Sequence, residues 1–207
     1  MEEKMKKRIL SALICGVMVV GMLAGCGNGS GETAKNENTE TATENVTAEI
    51  DVKDYGVIKV ELDADAAPET VENFVKLAKD GFYDGLTFHR IISGFMIQGG
   101  DPNGDGTGGS DTTIKGEFSN NGVENPISHV RGTISMARSM ENDSASSQFF
   151  IVHEDSTYLD GDYAGFGTVV EGMDVVDAIC EAVQVEDSNG TVLPENQPVI
   201  NSVKIIE

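Results

Sequence analysis

Short runs of strand-forming residues, each ended by a turn, fill most of the chain after residue 48. Two runs, 49–53 and 57–62, alternate polar and apolar residues on either side of Asp54-Tyr55-Gly56 and predict a β-hairpin. Six further runs are rich in β-branched and aromatic residues: 87–92, 95–98, 133–137, 148–152, 165–169 and 199–206. Such a chain is typical of a mainly β domain, either a closed barrel or a sandwich.

Two stretches have helical periodicity instead. Pro68 can occupy the first turn of a helix, and Gly81 can end it. Between them the apolar residues follow the i, i+3, i+4, i+7 spacing of one helix face: Val71, Phe74, Val75 and Ala78. The stretch 173–183 repeats this pattern with Met173, Val176, Ile179, Cys180 and Val183, so Cys180 is predicted to be a buried thiol. The two helices are expected to cap the β structure.

The N-terminal segment has the features of a targeting sequence. Four cations lie within MEEKMKKR, and the run from Ile9 to Met22 has 14 residues without charge. Because a membrane-spanning helix needs about 20 apolar residues, this run suits a signal peptide better. Leu23-Ala24-Gly25-Cys26 resembles a bacterial lipobox, which predicts that residues 1–25 are removed and that Cys26 is lipidated. The alternative is an uncleaved anchor with a chance cysteine.

The segment after the lipobox cannot build a core. Residues 26–47 contain no aromatic residue and a single large apolar one, Val46, so a disordered linker is expected there and a folded domain over residues 48–207. The protein is then expected outside the cytoplasm, held on the bacterial cell membrane by lipid. A formal charge of −21 argues against binding nucleic acid, since the chain repels the phosphate backbone.

The glycine-rich stretch 99–109 contains two incomplete binding motifs. GxGxxG runs from Gly104 to Gly109, but no helix start follows it, as a dinucleotide site requires. DxNxDG begins at Asp101 like an EF-hand loop, but its twelfth position is Thr112 and flanking helices are missing. A surface loop is therefore predicted.

The other polar residues give no metal or nucleophile motif. His89, His129 and His153 lack the spacing of metal-ligand pairs, the cysteines lack CxxC, and GxSxG does not occur. At least two of the three histidines are predicted to be structural. No metal and no cofactor are expected.

Two stretches, FHRIISGFMIQGGD (88–101) and SQFFI (147–151), place polar side chains among strong strand formers. Alternation along strands could bring these residues to one face: Arg90, Gln98 and Gln148 with Phe95, Met96 and Phe150. That face is either a small-ligand pocket with a few fixed donors or a packed barrel face with one arginine at its edge. Periodicity favours neither.

The same two stretches resemble the signature of the cyclophilin family of peptidyl-prolyl cis-trans isomerases. GTISMA from Gly132, YLDG from Tyr158 and Phe166-Gly167 follow in the family's order, and the resemblance spans about residues 48–207. It implies a closed eight-stranded antiparallel β-barrel with a helix at each end and a groove on the outer face. It also implies isomerisation of X–Pro bonds without metal or cofactor.

Site residues follow from the resemblance position by position. It implies catalytic roles for Arg90, Gln98 and Phe95. It implies substrate-binding roles for Met96, Ala137, Arg138, Gln148, Phe150, Tyr158, Leu159 and Tyr163, with Ala137 and Arg138 lining the groove for the residue before proline. The chain departs from common members of the family at four positions: Ser93 for proline, Arg138 for asparagine, Tyr158 for tryptophan and Tyr163 for histidine.

The implied partners are Pro-containing polypeptides, here exported or unfolded proteins, and a monomer is expected. Two alternatives remain. The groove could hold Pro-containing peptides with little turnover, or a β-barrel could carry small apolar ligands.

Overall fold

The computed structural model describes residues 46–206. The predicted leader 1–25, Cys26 and the linker up to residue 45 lie outside the described residues. Strand β1 begins at Val46, so the last two residues assigned to the linker belong to the first strand.

Eight strands and two helices make up the domain. The strands are β1 (Val46–Val52), β2 (Gly56–Leu62), β3 (Thr87–Ile92), β4 (Met96–Asp101), β5 (Thr133–Met136), β6 (Phe149–Val152), β7 (Gly165–Glu171) and β8 (Ile200–Ile206). The helices are α1 (Pro68–Lys79) and α2 (Met173–Ala182), and short 3₁₀ turns lie at Ser119–Asn121, Thr157–Leu159 and Pro194–Asn196. The predicted hairpin and both predicted helices are confirmed, whereas Phe95 and Gln148 lie just outside the strands to which they were assigned.

All strands pair antiparallel in one sheet, in the order β3-β4-β6-β5-β7-β2-β1-β8. The expected closed barrel is wrong: β3 and β8 form the two ends of the sheet, which is a curled half-barrel. The ends approach each other through an isolated bridge between Thr87 and Val199 and through three backbone hydrogen bonds, from Phe88 to Pro198, from Ile200 to Leu86 and from Gly85 to Ile200. Pro198 has no N–H to donate, so a continuous ladder cannot form there.

Aromatic rings fill the inner side of the sheet. The Phe74 ring of α1 is fully buried, and its centroid lies 5.2 Å from Tyr83, 5.6 Å from Phe149 and 5.2 Å from Phe166. Side chains therefore fill the interior of the sheet, which argues against a carrier of small apolar ligands.

Helix α2 packs against β2 at another edge of the core. Its buried residues are Val175, Val176, Ile179 and Cys180. The prediction that Cys180 is a buried thiol is confirmed, and burial raises the pKa of this thiol to about 11. Neither helix among residues 46–206 combines the length and the apolar character needed to cross a membrane.

Candidate active site

Strands β4 and β6, and strand β3 from Arg90 onward, separate inner and outer side chains by alternation, whereas the register of β3 shifts between Phe88 and Arg90. Ile97 and Ile151 point into the main core, whereas Met96 and Phe150 belong to a smaller outer cluster. The register places Arg90 opposite Gln98, and Gln98 opposite Phe150, so these three residues form one row across the outer face. The pocket interpretation of this face is therefore favoured over a packed barrel face.

A cavity of about 150 Å³ opens beside this row. It is lined by nine of the residues predicted for the site: Arg90, Phe95, Met96, Gln98, Ala137, Arg138, Phe150, Leu159 and Tyr163. Six of these nine residues are apolar or aromatic, and the guanidinium groups of Arg90 and Arg138 and the amide of Gln98 supply polar groups beside them, as in sites that bind an apolar ring and a polar group together. We call it the apolar cavity.

Gln148 and Tyr158 lie next to the apolar cavity without lining it. Gln148 donates from elsewhere in the groove, as described below, and the Tyr158 ring lies 5.9 Å from the Phe95 ring while 70% of Tyr158 is exposed. The structure thus brings all eleven residues of the predicted site to one region of the surface.

Arg90 is held on two sides. Its Nη1 donates to Gln98 Oε1 at 3.2 Å, and its Nε donates to the main-chain oxygen of Asn189 at 2.8 Å. Burial lowers the pKa of Arg90, although Tyr163 and Asp187 oppose the shift, and the guanidinium remains charged in any ordinary buffer. Nη2 has no acceptor among the described residues, so it is available to a ligand.

A turn at residues 187–191 supplies the Asn189 carbonyl. The Asp187 carboxylate accepts from Asn189 N at 2.9 Å, and from the N–H and hydroxyl of Thr191 at 3.2 and 3.1 Å. Gly190 has a φ of 80°, and a Cβ there would collide with the carbonyl oxygen of Ile91. The role of this turn was not predicted, since Asp-Ser-Asn-Gly indicates only that a turn exists and not which residue the turn contacts.

The two glutamines continue the hydrogen-bond chain from Arg90. Gln98 Nε2 donates to Gln148 Oε1 at 2.9 Å, and Gln148 Nε2 donates to the carbonyl oxygens of Gly106 and Gly108 at 3.2 and 2.7 Å. Because each amide gives and accepts in turn, the chain fixes the orientation of both side chains.

The glycine-rich loop is organised around one buried carboxylate. Asp101 accepts from the main-chain N–H groups of Asn103, Asp105 and Gly106. A Cβ on Gly108 would collide with the same carboxylate. The carboxylate is thus committed to loop structure, in agreement with the predicted surface loop. Within residues 46–206 no three histidine, cysteine, aspartate or glutamate side chains converge as metal ligands.

A second cavity, of about 310 Å³, adjoins the first. We call it the polar cavity. It shares Gln98, Ala137 and Arg138 with the apolar cavity and is otherwise lined by Gly106, Thr107, Gly108, Gly109, Ser139, Ser144, Ser146 and Gln148. The groove therefore has room for a ring and for a polar side chain beside it.

His129 packs beneath the apolar cavity, a position that was not predicted from the sequence. Its buried ring stacks on Phe150 with centroids 6.0 Å apart and meets the edge of Tyr163 at 6.4 Å. Asp160 lies 2.8 Å from Nδ1, and the Ser135 hydroxyl lies 2.9 Å from Nε2. His153 contacts Asp177 and the Gly94 N–H, so both histidines are structural, as predicted for at least two of the three.

Acid is expected to destabilise the protein through His129 and Asp160. Burial lowers the pKa of His129, although the hydrogen bond to Asp160 opposes this shift. The neutral ring therefore stabilises the fold above the ordinary histidine pKa of 6.5, and this contribution is lost as the pH falls below that value. Burial would raise the pKa of Asp160, but hydrogen bonds from Ser128 and His129 outweigh it and lower that pKa. The contribution of Asp160 to stability is therefore lost as the pH falls below the ordinary aspartate pKa of 3.8.

Melting curves between about pH 7.5 and about pH 5 should show the loss from His129 as a fall of a few degrees. His129→Gln should flatten this dependence. His153→Gln, which removes a histidine outside the pair, should keep it. Equal slopes in His129→Gln and the parent would contradict the assignment.

Comparisons with known proteins agree on one family. A sequence model described as cyclophilin type peptidyl-prolyl cis-trans isomerase/CLD matches residues 47–206. The chain is 46% identical to peptidyl-prolyl cis-trans isomerase B of Bacillus subtilis over 70% of this chain and 92% of that protein. It is 43% identical to peptidyl-prolyl cis-trans isomerase A of Dickeya dadantii over 73% and 80% of the two chains.

A solved structure shows the same architecture. A Cryptosporidium parvum cyclophilin type peptidyl-prolyl cis-trans isomerase, crystallised in the presence of the dipeptide Ala-Pro, superposes with a TM-score of 0.68. The sequence identity is 29%, and the superposition covers 78% of this chain and 99% of that chain.

Proposed function

The chain belongs to the cyclophilin family of peptidyl-prolyl cis-trans isomerases, and we propose that its groove isomerises X–Pro bonds with Arg90 as the catalytic residue. The observation that carries this assignment is the placement of the Arg90 guanidinium, held by Gln98 and Asn189, at the side of the apolar cavity. The proline ring would enter the cavity, and the preceding peptide bond would lie across Arg90.

Amide chemistry explains why one cation is sufficient. Resonance gives the X–Pro bond partial double-bond character and a barrier near 20 kcal/mol, so uncatalysed exchange takes roughly 10–100 s. In the twisted transition state this resonance is lost, and the proline nitrogen regains a lone pair. A fixed donor directed at that nitrogen or at the rotating carbonyl binds the twisted state more tightly than the planar one, which accelerates exchange.

The groove supplies the other requirements through shape and fixed hydrogen bonds. Phe95, Met96, Phe150 and Leu159 hold the ring, while the Gln98–Gln148 chain holds polar groups of the substrate backbone. The proposed mechanism uses neither a covalent intermediate nor a proton transfer. It therefore needs no nucleophile.

Exchange measured by NMR on a short Ala-Pro peptide with the purified protein tests this function. We expect line broadening of the cis and trans signals at catalytic protein concentration. A second candidate function is that the groove binds Pro-containing peptides with little turnover. It is motivated by Arg138, Tyr158 and Tyr163, which differ from the residues of common family members. Peptide-induced chemical shifts without accelerated exchange would support this second function against the isomerase function.

We further propose that the enzyme acts as a lipid-anchored monomer outside the cytoplasm, on exported polypeptides. The support comes from the sequence of residues 1–26, with its cationic start, apolar run and Leu-Ala-Gly-Cys. A tethered isomerase would meet polypeptides as they emerge unfolded from export. Light scattering on the purified protein checks the monomer.

Cys26→Ser is expected to release the protein from the membrane fraction. One acyl chain binds membranes only marginally, so stable anchoring needs at least two, which lipobox modification provides. Cys15→Ser is the matched control, because that thiol lies in the segment that would be removed. Cell fractionation and blotting measure the result, and a Cys26→Ser protein that stays as firmly membrane-bound as the parent would refute the anchor.

A further inference from the structure

Arg138 lies on the wall between the apolar and polar cavities and lines both of them. It is the one charged residue among those that line the polar cavity. We propose that Arg138 makes the enzyme select polypeptides that carry an acidic side chain one or two residues before the proline. This inference rests on the proposed isomerase function and names the substrate class of the same groove.

The guanidinium of Arg138 is rigidly placed. Its Cζ lies 5.0 Å from the centre of the buried Phe118 ring and 4.9 Å from the centre of the Tyr163 ring. Two aromatic rings therefore contact the group, and each contact is favourable for a cation. A side chain ordered in the free protein loses little rotamer entropy when a ligand binds.

Main-chain carbonyls take up part of its hydrogen-bonding capacity. Nε donates to Asp162 O at 2.9 Å, and Nη1 donates to Ser139 O at 3.0 Å and to Met140 O at 3.4 Å. Nη2 has no acceptor among the described residues. Since the group lines both cavities, its remaining N–H groups are the donors that a ligand in the groove can reach.

Within residues 46–206, Arg138 forms no salt bridge with a carboxylate. Three other cations of the domain form ion pairs: Lys59 with Glu49 and Glu171, Lys76 with Asp80, and Arg131 with Asp177. Among residues 46–206, Arg138 and Arg90 instead donate to carbonyl, amide or thioether groups. In a chain with a formal charge of −21, the groove thus keeps two guanidinium groups that form no salt bridge with a carboxylate of the described residues.

The chemistry of the polar cavity suits a carboxylate. Its lining contains three serine residues, Thr107 and glycine main chain, and none of its lining residues is acidic. A carboxylate accepting from a guanidinium forms a short charge-assisted hydrogen bond, and the planar fork of arginine matches carboxylate geometry. With the proline in the apolar cavity, a side chain in the polar cavity belongs to a residue close to the proline, and the family position of Ala137 and Arg138 places it on the N-terminal side.

Three acetylated, amidated peptide series test the proposal. The variable residue Xaa is Glu, Gln or Lys. In the first series Xaa lies one residue before the proline, in the second it lies two residues before the proline, and in the third it follows the proline. Each peptide thus contains one Ala-Pro or Xaa-Pro bond. Exchange rates from NMR give kcat/KM, and chemical-shift titration gives Kd, both at low and at high salt. The proteins are the parent, Arg138→Gln, Arg138→Lys and Arg131→Gln, the last removing the same charge from an exposed residue outside both cavities.

In the parent, Glu before the proline should raise kcat/KM about tenfold over Gln at low salt, since one charge-assisted hydrogen bond contributes at least that much. High salt should shrink the preference, because the site is partly exposed. Arg138→Gln should abolish it, Arg138→Lys should keep part of it, and Arg131→Gln should leave it intact. Glu after the proline should give no gain.

Equal kcat/KM for Glu and Gln peptides in the parent overturns the inference and leaves the isomerase function standing, because the Gln peptides still turn over. A Glu preference that survives in Arg138→Gln also overturns it. If no peptide turns over, the proposed function fails, and the Kd values still decide the inference: a Glu preference that depends on Arg138 supports it, and its absence refutes it.

Discussion

Replacing Arg90 with alanine is expected to reduce kcat/KM by roughly 10²–10³-fold, the usual effect of removing one preorganised donor from an electrostatic site. The guanidinium is fixed before substrate arrives by Gln98 on one side and the Asn189 carbonyl on the other. The guanidinium therefore needs no reorganisation in the transition state, and removing it should mainly lower kcat. Peptide Kd should change less, because the apolar wall formed by Phe95, Met96 and Phe150 remains.

Arg90→Lys is the informative companion to this variant. A lysine keeps the charge but cannot reach a carbonyl and a nitrogen together with one planar group, so partial recovery is expected. Melting temperatures of both variants should stay near that of the parent, since Arg90 projects from the outer face and takes no part in the inner core. A folded Arg90→Ala protein with near-parental exchange rates would show that another residue carries the catalysis.

Phe74→Ala is expected to lower the free energy of unfolding by about 3–5 kcal/mol, the range for a buried phenylalanine cut to alanine. The ring is fully buried on α1 and lies within 5.6 Å, centroid to centroid, of three other aromatic rings. One of these is Phe149, which immediately precedes the groove residue Phe150. Neighbouring side chains attached to strands cannot collapse fully into the space, so a cavity should remain.

Since a domain of this size loses about 2–4 °C per kcal/mol, the melting temperature of Phe74→Ala should fall by about 6–20 °C. Glu72→Ala, an exposed position on the same helix, should change stability by less than about 0.5 kcal/mol. Chemical denaturation with matched m-values measures both. A Phe74→Ala protein as stable as Glu72→Ala would mean that α1 does not anchor the core.

Local pattern alone was enough to place the helices and strands. The Pro68 start, the i, i+3, i+4 spacing through Phe74 and the alternation around Asp54 all act between residues a few positions apart, so the chain itself reveals them. The residues of the groove were predicted from the resemblance to the cyclophilin signature. The structure brings nine of them to one cavity, and their roles stay a prediction.

Contacts between distant parts of the chain needed the tertiary structure. Arg90 and Asn189 are 99 positions apart, and no periodicity connects them. Pro198 leaves the sheet open where a closed barrel was expected, because a missing N–H matters only once β3 is seen opposite that segment.

The sequence by itself therefore determined which segments become strands and helices and which residues reach the outer face, since alternation along a strand assigns its side chains to faces. Only the tertiary structure decided how those residues are held: Arg90 by a remote turn, Phe150 by the buried His129, and Arg138 between Phe118 and Tyr163. The physical reason is that strand register and loop packing, which bring distant residues within hydrogen-bonding distance, arise from the whole sheet and not from neighbours along the chain.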